Sequence, residues 1–250
     1  MKESQRKLLE AIDFAFEKQE IKSQWNENGY VIFEIGIKAQ EEMKVLRNQP
    51  ISKFQQLFKR IDENGNVQMD SKRFQMNLKH HLKDYPYIYP QVMQNVETEI
   101  KKFASIFVDN YQPTSAVCIR SYARGTEQQL HRDMSKQQYY DLQEEVHSCI
   151  VTTDEALINV IHPGKNKKEK LEIPGNSLLI FHGRLVHSGS SYKKVNTRYH
   201  CYLGGPKLQE KLKTDEFFLD TSDPYVDGDT SLDWDFTDEE WSEYINTQNT

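Results

Sequence analysis

Two histidines and a carboxylate stand at spacings that suit a non-haem iron site. One residue separates His131 from Asp133, so a strand of period two would point both side chains to the same face. His187 follows in a separate apolar segment, and a second strand could bring its imidazole to the first two residues. Two histidines and one carboxylate form the facial arrangement that holds Fe(II) and leaves coordination positions open. His131, Asp133 and His187 are therefore the predicted metal ligands.

An arginine beyond the last histidine could supply a second element of the same chemistry. Arg198 follows His187 in the next predicted strand, and its planar guanidinium could bind a carboxylate co-substrate in a bidentate manner. Iron beside an anchored 2-oxo acid would activate oxygen. The pattern therefore predicts an oxygenase site.

The other histidines lack this pattern. His182 lies five residues before His187, an odd spacing that would turn it to the opposite face of a regular strand, so it is left out of the metal set. The remaining histidines have no partners at ligand spacing and are expected to be surface or structural residues: His80, His81, His147, His162 and His200.

After Ser115 the sequence is typical of short strands separated by turns. Turn signals stand at 162–164 and 174–176, each with a proline next to a glycine. Such a pattern favours a sandwich or jelly roll. Strands are predicted over 116–119, 149–152, 157–161, 177–181 and 197–203, with an earlier one over 30–33.

Residues 1–110 are predicted to be mainly helical. A helix is expected around 41–47, a longer one after Pro90, and another over 54–61, where apolar residues recur at i, i+3, i+4 and i+7. Helices in the first half and strands in the second indicate an α+β fold in which helices pack on one sheet.

Composition narrows the class of protein. The chain has 250 residues, 37% of them hydrophobic, which is enough for one sizeable core. A net charge of −6 disfavours general nucleic-acid binding, and no apolar run approaches the roughly 20 residues that span a bilayer. The first residues lack the apolar stretch of a secretory signal, and three widely spaced cysteines suit a reducing compartment. We therefore expect a cytoplasmic or nuclear protein.

The last 45 residues differ from the rest of the chain. Residues 206–250 contain thirteen acidic residues and three lysines, yet they also carry seven aromatic residues. A purely disordered tail is usually poor in aromatics. We expect one domain over 1–205, with a core over 115–205, and a C-terminal extension over 206–250. Docking on the domain, closure over the site and binding of a partner are all open for this extension.

The segment from Ser115 to Gly205 resembles the catalytic core of the Fe(II)- and 2-oxoglutarate-dependent dioxygenases, a superfamily with a double-stranded β-helix. The stretch 177–189, which contains Phe181-His182-Gly183-Arg184 and ends in His187-Ser188-Gly189, looks most like the phytanoyl-CoA dioxygenase branch, as does the Gly29-Tyr30 entry. Prolyl-hydroxylase-like and AlkB-like cores share the Tyr122…Gly125…His131-x-Asp133 pattern. The resemblance implies a jelly-roll or cupin-like core.

By position, the resemblance implies that His131, Asp133 and His187 bind iron and that Arg198 holds the distal carboxylate of 2-oxoglutarate. Tyr122 is a candidate hydrogen-bond donor to the same co-substrate, or a packed barrel tyrosine.

The implied reaction uses O₂ to hydroxylate a C–H bond of a small-molecule or lipid-like substrate, while 2-oxoglutarate is decarboxylated to succinate. Two alternatives stay open: hydroxylation of a protein side chain, and a non-catalytic scaffold that acts through its acidic tail. The oligomeric state is not predicted.

Overall fold

The chain folds into two antiparallel β-sheets with helices against the larger one. A computed structural model describes residues 18–61, 67–79, 93–107, 110–212, 223–224 and 230. The larger sheet contains β1 (Tyr30–Glu34), β2 (Gln55–Ile61), β3 (Val67–Lys79), β4 (Gln112–Ser121), β6 (Val146–Thr152), β9 (Ser177–His182) and β11 (Asn196–Gly204). The smaller sheet contains β5 (His131–Arg132), β7 (Ala156–Ile161), β8 (Lys168–Ile173), β10 (Val186–Gly189) and β12 (Asp223–Pro224).

The strand order produces a sandwich. The larger sheet runs β1-β9-β6-β11-β4-β3-β2, and the smaller one runs β12-β5-β10-β7-β8. A cluster of buried apolar residues lies between the sheets, with Leu179 and Phe181 from β9 meeting Ile158 and Val160 from β7. Alternating side chains fill this interior because each strand points every second residue inward. The predicted double-stranded β-helix is confirmed.

Helices cover the outer face of the larger sheet, as predicted. They are α1 (residues 18–28), α2 (Ile37–Arg47) and α3 (Gln94–Ala104), while α4 (Lys136–Leu142) and α5 (Pro206–Lys211) lie elsewhere. Met43 of α2 and Ile100 of α3 are fully buried and share one cluster with the outward residues of the sheet, among them Cys149 and Ile180. Burial of each such side chain is worth about 1.5–3 kcal/mol. This second core supports the larger sheet of the sandwich from outside.

Two charged side chains fix α2 in place. Glu42 accepts hydrogen bonds from the backbone N–H groups of Asn95 and Val96, which are the free donors at the start of α3. Arg120 of β4 donates to the carbonyls of Leu46 and Arg47, the free acceptors at the end of α2. The start of α3 is thereby bonded to α2, and the end of α2 is bonded to β4 of the larger sheet.

The predicted helix over 54–61 is wrong. Gln55–Ile61 forms β2, which pairs antiparallel with β3, and β3 in turn pairs with β4. The helical spacing of apolar residues was misleading here because long-range pairing to the sheet outweighs local periodicity. The described residues of the first half, 1–110, therefore form both helices and strands rather than mainly helices. The Asn64-Gly65 pair that follows this segment, a signal for a turn, lies outside the described residues.

Part of the C-terminal extension joins the fold. Residues 206–211 form α5, and Asp223 and Pro224 pair with Arg132 and His131 as the edge strand β12. All seven aromatic residues that made the extension unusual lie outside the described residues. Among the helices that the structure describes, none is long and apolar enough to cross a bilayer.

Candidate metal centre

The three predicted metal ligands meet inside the sandwich. His187 of β10 and His131 of β5 are direct partners in the strand register, and Asp133 follows β5 immediately. Asp133 Oδ1 lies 3.7 Å from Nε2 of His131 and 3.7 Å from Nε2 of His187. Three potential ligand atoms, all within 4.8 Å of one another, form a group that could hold a metal ion.

The hydrogen bonds of the two imidazoles suit a metal. Nδ1 of His131 lies 2.8 Å from the carbonyl oxygen of Gln129, and Nδ1 of His187 lies 2.9 Å from that of Leu185. A carbonyl can only accept, so each Nδ1 carries the hydrogen and donates it. Each Nε2 then has a free lone pair that faces the carboxylate. A metal-bound histidine ordinarily donates its other nitrogen in this way.

Burial and charge set suitable protonation states. Burial by itself would raise the pKa of Asp133, but the surrounding imidazoles of His187, His200 and His131 outweigh it and hold the pKa well below the usual range. Burial lowers the pKa of His187 to about 4, although the Asp133 carboxylate opposes this shift. At neutral pH the site therefore presents an ionised carboxylate and a neutral His187, the forms in which both groups bind metals.

The second oxygen of Asp133 has its own partners. Ser148 of β6 donates its hydroxyl hydrogen to Asp133 Oδ2 at 2.5 Å, and Nε2 of His200 lies 3.9 Å from the same oxygen. One carboxylate oxygen thus faces the two ligand imidazoles and the other faces β6 and β11. From the sequence, His200 was expected to be only a surface or structural residue, and Ser148 was not predicted to take part in the site.

Arg198 points into the same interior. It lies two residues before His200 on β11, so the two side chains share a face and their Cα atoms are about 7 Å apart. Its Nη1 donates to Ser121 Oγ at 3.0 Å, Tyr192 Oη at 3.3 Å and Asn196 Oδ1 at 3.4 Å. All three acceptors are neutral.

The charge of Arg198 is not balanced within the described part of the chain. The residue is 4% exposed, and no carboxylate among the described residues lies within ion-pair distance of it. A buried charge is costly unless an opposite charge accompanies it. The surroundings of Arg198 therefore favour an anionic ligand.

The predicted co-substrate tyrosine lies elsewhere. The ring of Tyr122 packs edge-on against Phe74 at 5.7 Å, and its backbone N–H donates to Lys72. Phe74 shares the outward face of β3 with Met76, which belongs to the core under the helices. No contact with Arg198 or the metal group is found for Tyr122 among the described residues. Tyr192 is the tyrosine whose hydroxyl meets Arg198, and the same hydroxyl donates to the Leu157 carbonyl at 3.0 Å.

A second histidine–carboxylate group lies on the outer face of the larger sheet. His147 of β6 and His182 of β9 are register partners, and Glu145 precedes β6. Their potential ligand atoms also lie within 4.8 Å of one another. As its odd spacing predicted, His182 does not join the metal group of His187.

This outer group is tied to an arginine. Glu145 Oε2 lies 3.1 Å from Nε2 of His182, and Arg184 donates to Glu145 Oε1 at 2.9 Å. The backbone N–H of Arg184 also donates to Nδ1 of His182 at 3.2 Å. His147 is 1% exposed, and its two ring nitrogens have no hydrogen-bond partner in the described parts of the chain.

Local sequence signals could have identified some of the missed residues. His200 follows Arg198 by two positions in a predicted strand, which places both on one face. Tyr192 and Asn196 fall in the turn just before that strand. Ser148 carries no such signal, because its contact with Asp133 depends on the arrangement of β6 beside β9 and β11.

No protein-family model and no curated protein matches the chain. Solved structures do resemble it. A prolyl hydroxylase from Trichoplax adhaerens, in complex with a peptide fragment of a hypoxia inducible factor, has 13% identity and a TM-score of 0.52 over 87% of this chain and 98% of its own. SnoK, a non-haem α-ketoglutarate-dependent carbocyclase from nogalamycin biosynthesis, has 9% identity and a TM-score of 0.54 over 74% and 83%.

HygX from Streptomyces hygroscopicus, solved with nickel, 2-oxoglutarate and hygromycin B, has 8% identity and a TM-score of 0.52 over 74% of this chain and 86% of its own. Identities this low establish a common fold only. The chain has the double-stranded β-helix fold of the 2-oxoglutarate–Fe(II) oxygenases.

Proposed function

We propose that the protein is an Fe(II)- and 2-oxoglutarate-dependent oxygenase. The observation that carries the proposal is the combination of two features in one interior. His131, Asp133 and His187 present free ligand atoms to a common point, and Arg198 is a buried cation without a described counter-ion. A scaffold without catalytic chemistry has no need for both features, and each of them costs stability when no ligand is present.

Different residues would bind the iron and the co-substrate. His131 Nε2, His187 Nε2 and Asp133 Oδ1 would hold the iron through three protein atoms, which leaves other coordination positions open. Arg198 would bind the distal carboxylate of 2-oxoglutarate. The hydroxyls of Ser121 and Tyr192 hold the Arg198 guanidinium at Nη1, while Nε and Nη2 donate to none of the described residues. The guanidinium is therefore oriented before the co-substrate arrives.

Bound iron and 2-oxoglutarate would supply the oxidising chemistry, in which O₂ and 2-oxoglutarate are converted to succinate and CO₂ as one C–H bond of the substrate becomes C–OH. The protein contributes an enclosed site. His187 is 6% exposed and Asp133 is 5% exposed, so bulk water has little access to the ligand atoms. We propose a small-molecule or lipid-like substrate, in keeping with the resemblance to the phytanoyl-CoA dioxygenase branch.

A protein side chain is the second candidate substrate. The prolyl hydroxylase bound to a peptide matches 87% of this chain, a larger share than the 74% matched by SnoK or HygX. The additional coverage favours this alternative, whereas SnoK belongs to nogalamycin biosynthesis and HygX was solved with the small molecule hygromycin B. The two substrate classes are separable by experiment.

The proposed function can be tested without knowledge of the substrate. Apo-protein would be titrated anaerobically with Fe(II), with and without 2-oxoglutarate, while the visible charge-transfer absorption is recorded. We expect a band that requires both components and is absent in Asp133→Ala. If folded wild-type protein gives no band and binds no iron by calorimetry, the proposal is wrong.

Substrate class would be tested next by succinate release. The protein, loaded with Fe(II) and 2-oxoglutarate, would be offered a panel of fatty acyl and other small molecules and, separately, a library of proline-containing peptides. Stimulation by small molecules alone supports the first candidate. Stimulation by peptides alone transfers the proposal to protein hydroxylation.

A further inference from the structure

The two oxygens of the Asp133 carboxylate have different surroundings. Oδ1 faces both ligand imidazoles at 3.7 Å, whereas Oδ2 receives the Ser148 hydroxyl at 2.5 Å. An O–H···O⁻ hydrogen bond of this length belongs to the short, charge-assisted class. Since both oxygens belong to one planar group, a bond that holds Oδ2 also determines where Oδ1 points.

Ser148 is well placed to hold a group rigidly. It lies in β6, between β9 and β11, with Phe181 and Tyr202 as its register partners. Its side chain is completely buried, so water does not compete for the hydroxyl. Asp133, in contrast, lies just after the two-residue strand β5, where the backbone alone restrains it less.

We propose that Ser148 is a positioning residue for the metal site: its hydroxyl fixes the Asp133 carboxylate so that Oδ1 alone is offered to the metal. The inference rests on the proposed metal function of Asp133. His200, 3.9 Å from the same oxygen, adds electrostatic attraction on that side but lies beyond hydrogen-bond distance.

The consequence concerns the number of open coordination positions. Without the Ser148 hydroxyl, the carboxylate can rotate about its Cβ–Cγ bond and offer both oxygens to one metal. A carboxylate that binds through both oxygens takes a position that a chelating co-substrate would need. Ser148 therefore supports both metal affinity and the openness of the site, although it touches neither the metal nor the co-substrate.

The test compares Ser148→Ala with wild type and with Ser177→Ala. Ser177 is a buried serine at the opposite end of the β6–β9 pairing, so its variant controls for the loss of a buried hydroxyl. Co(II) affinity would be measured by calorimetry, and the visible spectrum of bound Co(II) would report coordination. We expect Ser148→Ala to bind Co(II) about 10- to 100-fold more weakly and with a changed spectrum. Ser177→Ala should match wild type in both.

Each outcome has one meaning. If Ser148→Ala binds Co(II) with wild-type affinity and spectrum, the positioning role is overturned while the metal site stands. If wild type itself binds no Co(II), the proposed function fails and the inference fails with it. If Ser148→Ala does not fold, Ser148→Cys, with a weaker donor of similar shape, takes its place, and it is expected to show a smaller loss and a smaller spectral change.

Discussion

The two histidine–carboxylate groups of this protein each contain two histidines and one carboxylate, but their imidazoles are hydrogen-bonded differently. In the inner group, His131 and His187 donate from Nδ1 to backbone carbonyls and keep Nε2 free. In the outer group, the Arg184 N–H donates to Nδ1 of His182, so the hydrogen of that ring lies on Nε2 and is donated to Glu145.

The arginine beside each group also differs, in whether it already has a carboxylate partner. Arg184 is already paired with Glu145 at 2.9 Å, whereas Arg198 has three neutral acceptors and no described carboxylate. In the outer group, Glu145 is therefore already paired with Arg184 and His182, whereas the inner group keeps free Nε2 lone pairs beside a cation that has no described counter-ion. Two histidines and a carboxylate at short distances suit a metal only when one nitrogen of each imidazole donates its hydrogen elsewhere. The other nitrogen then has a free lone pair for the metal.

The largest expected effect is on Fe(II) binding, and it should follow loss of the Asp133 carboxylate but not of the Glu145 carboxylate. Asp133→Ala should weaken Fe(II) binding roughly 1000-fold, the scale of truncating one partner of a buried charge interaction, and abolish 2-oxoglutarate turnover. Glu145→Ala should keep one metal per chain. Calorimetry with Fe(II) under anaerobic conditions measures both. Two metals per wild-type chain, falling to one in Glu145→Ala, would contradict the comparison.

The two arginines should separate co-substrate binding from stability. Arg198→Ala should weaken 2-oxoglutarate binding about 100-fold, because the carboxylate loses its buried cation. Arg184→Ala should leave that affinity unchanged and lower the free energy of unfolding by roughly 1–3 kcal/mol, since Glu145 and its neighbours lose a hydrogen-bond donor. Fluorescence or calorimetric titration and urea unfolding provide the readouts. Equal co-substrate affinities in the two variants would move the anchor away from Arg198.

Acid should destabilise the outer group through His147. Burial lowers the pKa of His147 from 6.5 to about 3, with His182 and Arg184 acting in the same direction and Glu145 opposing them. The unfolded chain therefore takes up a proton below pH 6.5 that the folded chain does not, and stability falls as the pH drops from about 6.5 towards 3. His147→Phe should remove roughly 1 kcal/mol of that loss per pH unit near pH 5.

Urea unfolding of metal-free wild type and His147→Phe at pH 6 and pH 5 measures the difference. Glu145 also contributes, because the imidazoles of His182 and His147 and the Arg184 guanidinium outweigh burial and lower its pKa from 4.5 to about 2. Its contribution is lost only below about pH 4.5, so it does not enter this window. Parallel pH dependences in the two proteins would remove His147 from the account.

The smallest effect concerns the two tyrosines. Tyr192→Phe should weaken 2-oxoglutarate binding about fivefold, the equivalent of one hydrogen bond of roughly 1 kcal/mol, because Arg198 loses one of the acceptors that orient it. Tyr122→Phe should leave the affinity unchanged. The same titration as for Arg198 applies. A loss in Tyr122→Phe alone would restore the role that the sequence suggested for that residue.

The sequence predicted the elements whose side-chain periodicity is strong. The apolar run of β9 and the His131-x-Asp133 spacing led to a predicted strand and to a predicted metal site with His187, and the structure brings those three residues together. The prediction of a helix over 54–61 failed, because apolar residues at helical spacing there belong to a strand that pairs at the edge of the larger sheet. Ser148 could not be predicted, because its contact with Asp133 depends on the register of β6 beside β9 and β11. Tyr192 lies only six residues before Arg198, and its position in the turn before that strand was the only sequence signal for it.

The short pairing of β12 with β5 bears on how the protein is made. Asp223 and Pro224 lie beside Arg132 and His131, and they leave the ribosome after every other described strand. Until then, the strand that carries His131 has an open edge, and open edges invite pairing with other chains. Synthesis that stops before residue 223 would therefore release a chain with both sheets nearly complete and an unpaired strand edge beside the proposed metal site.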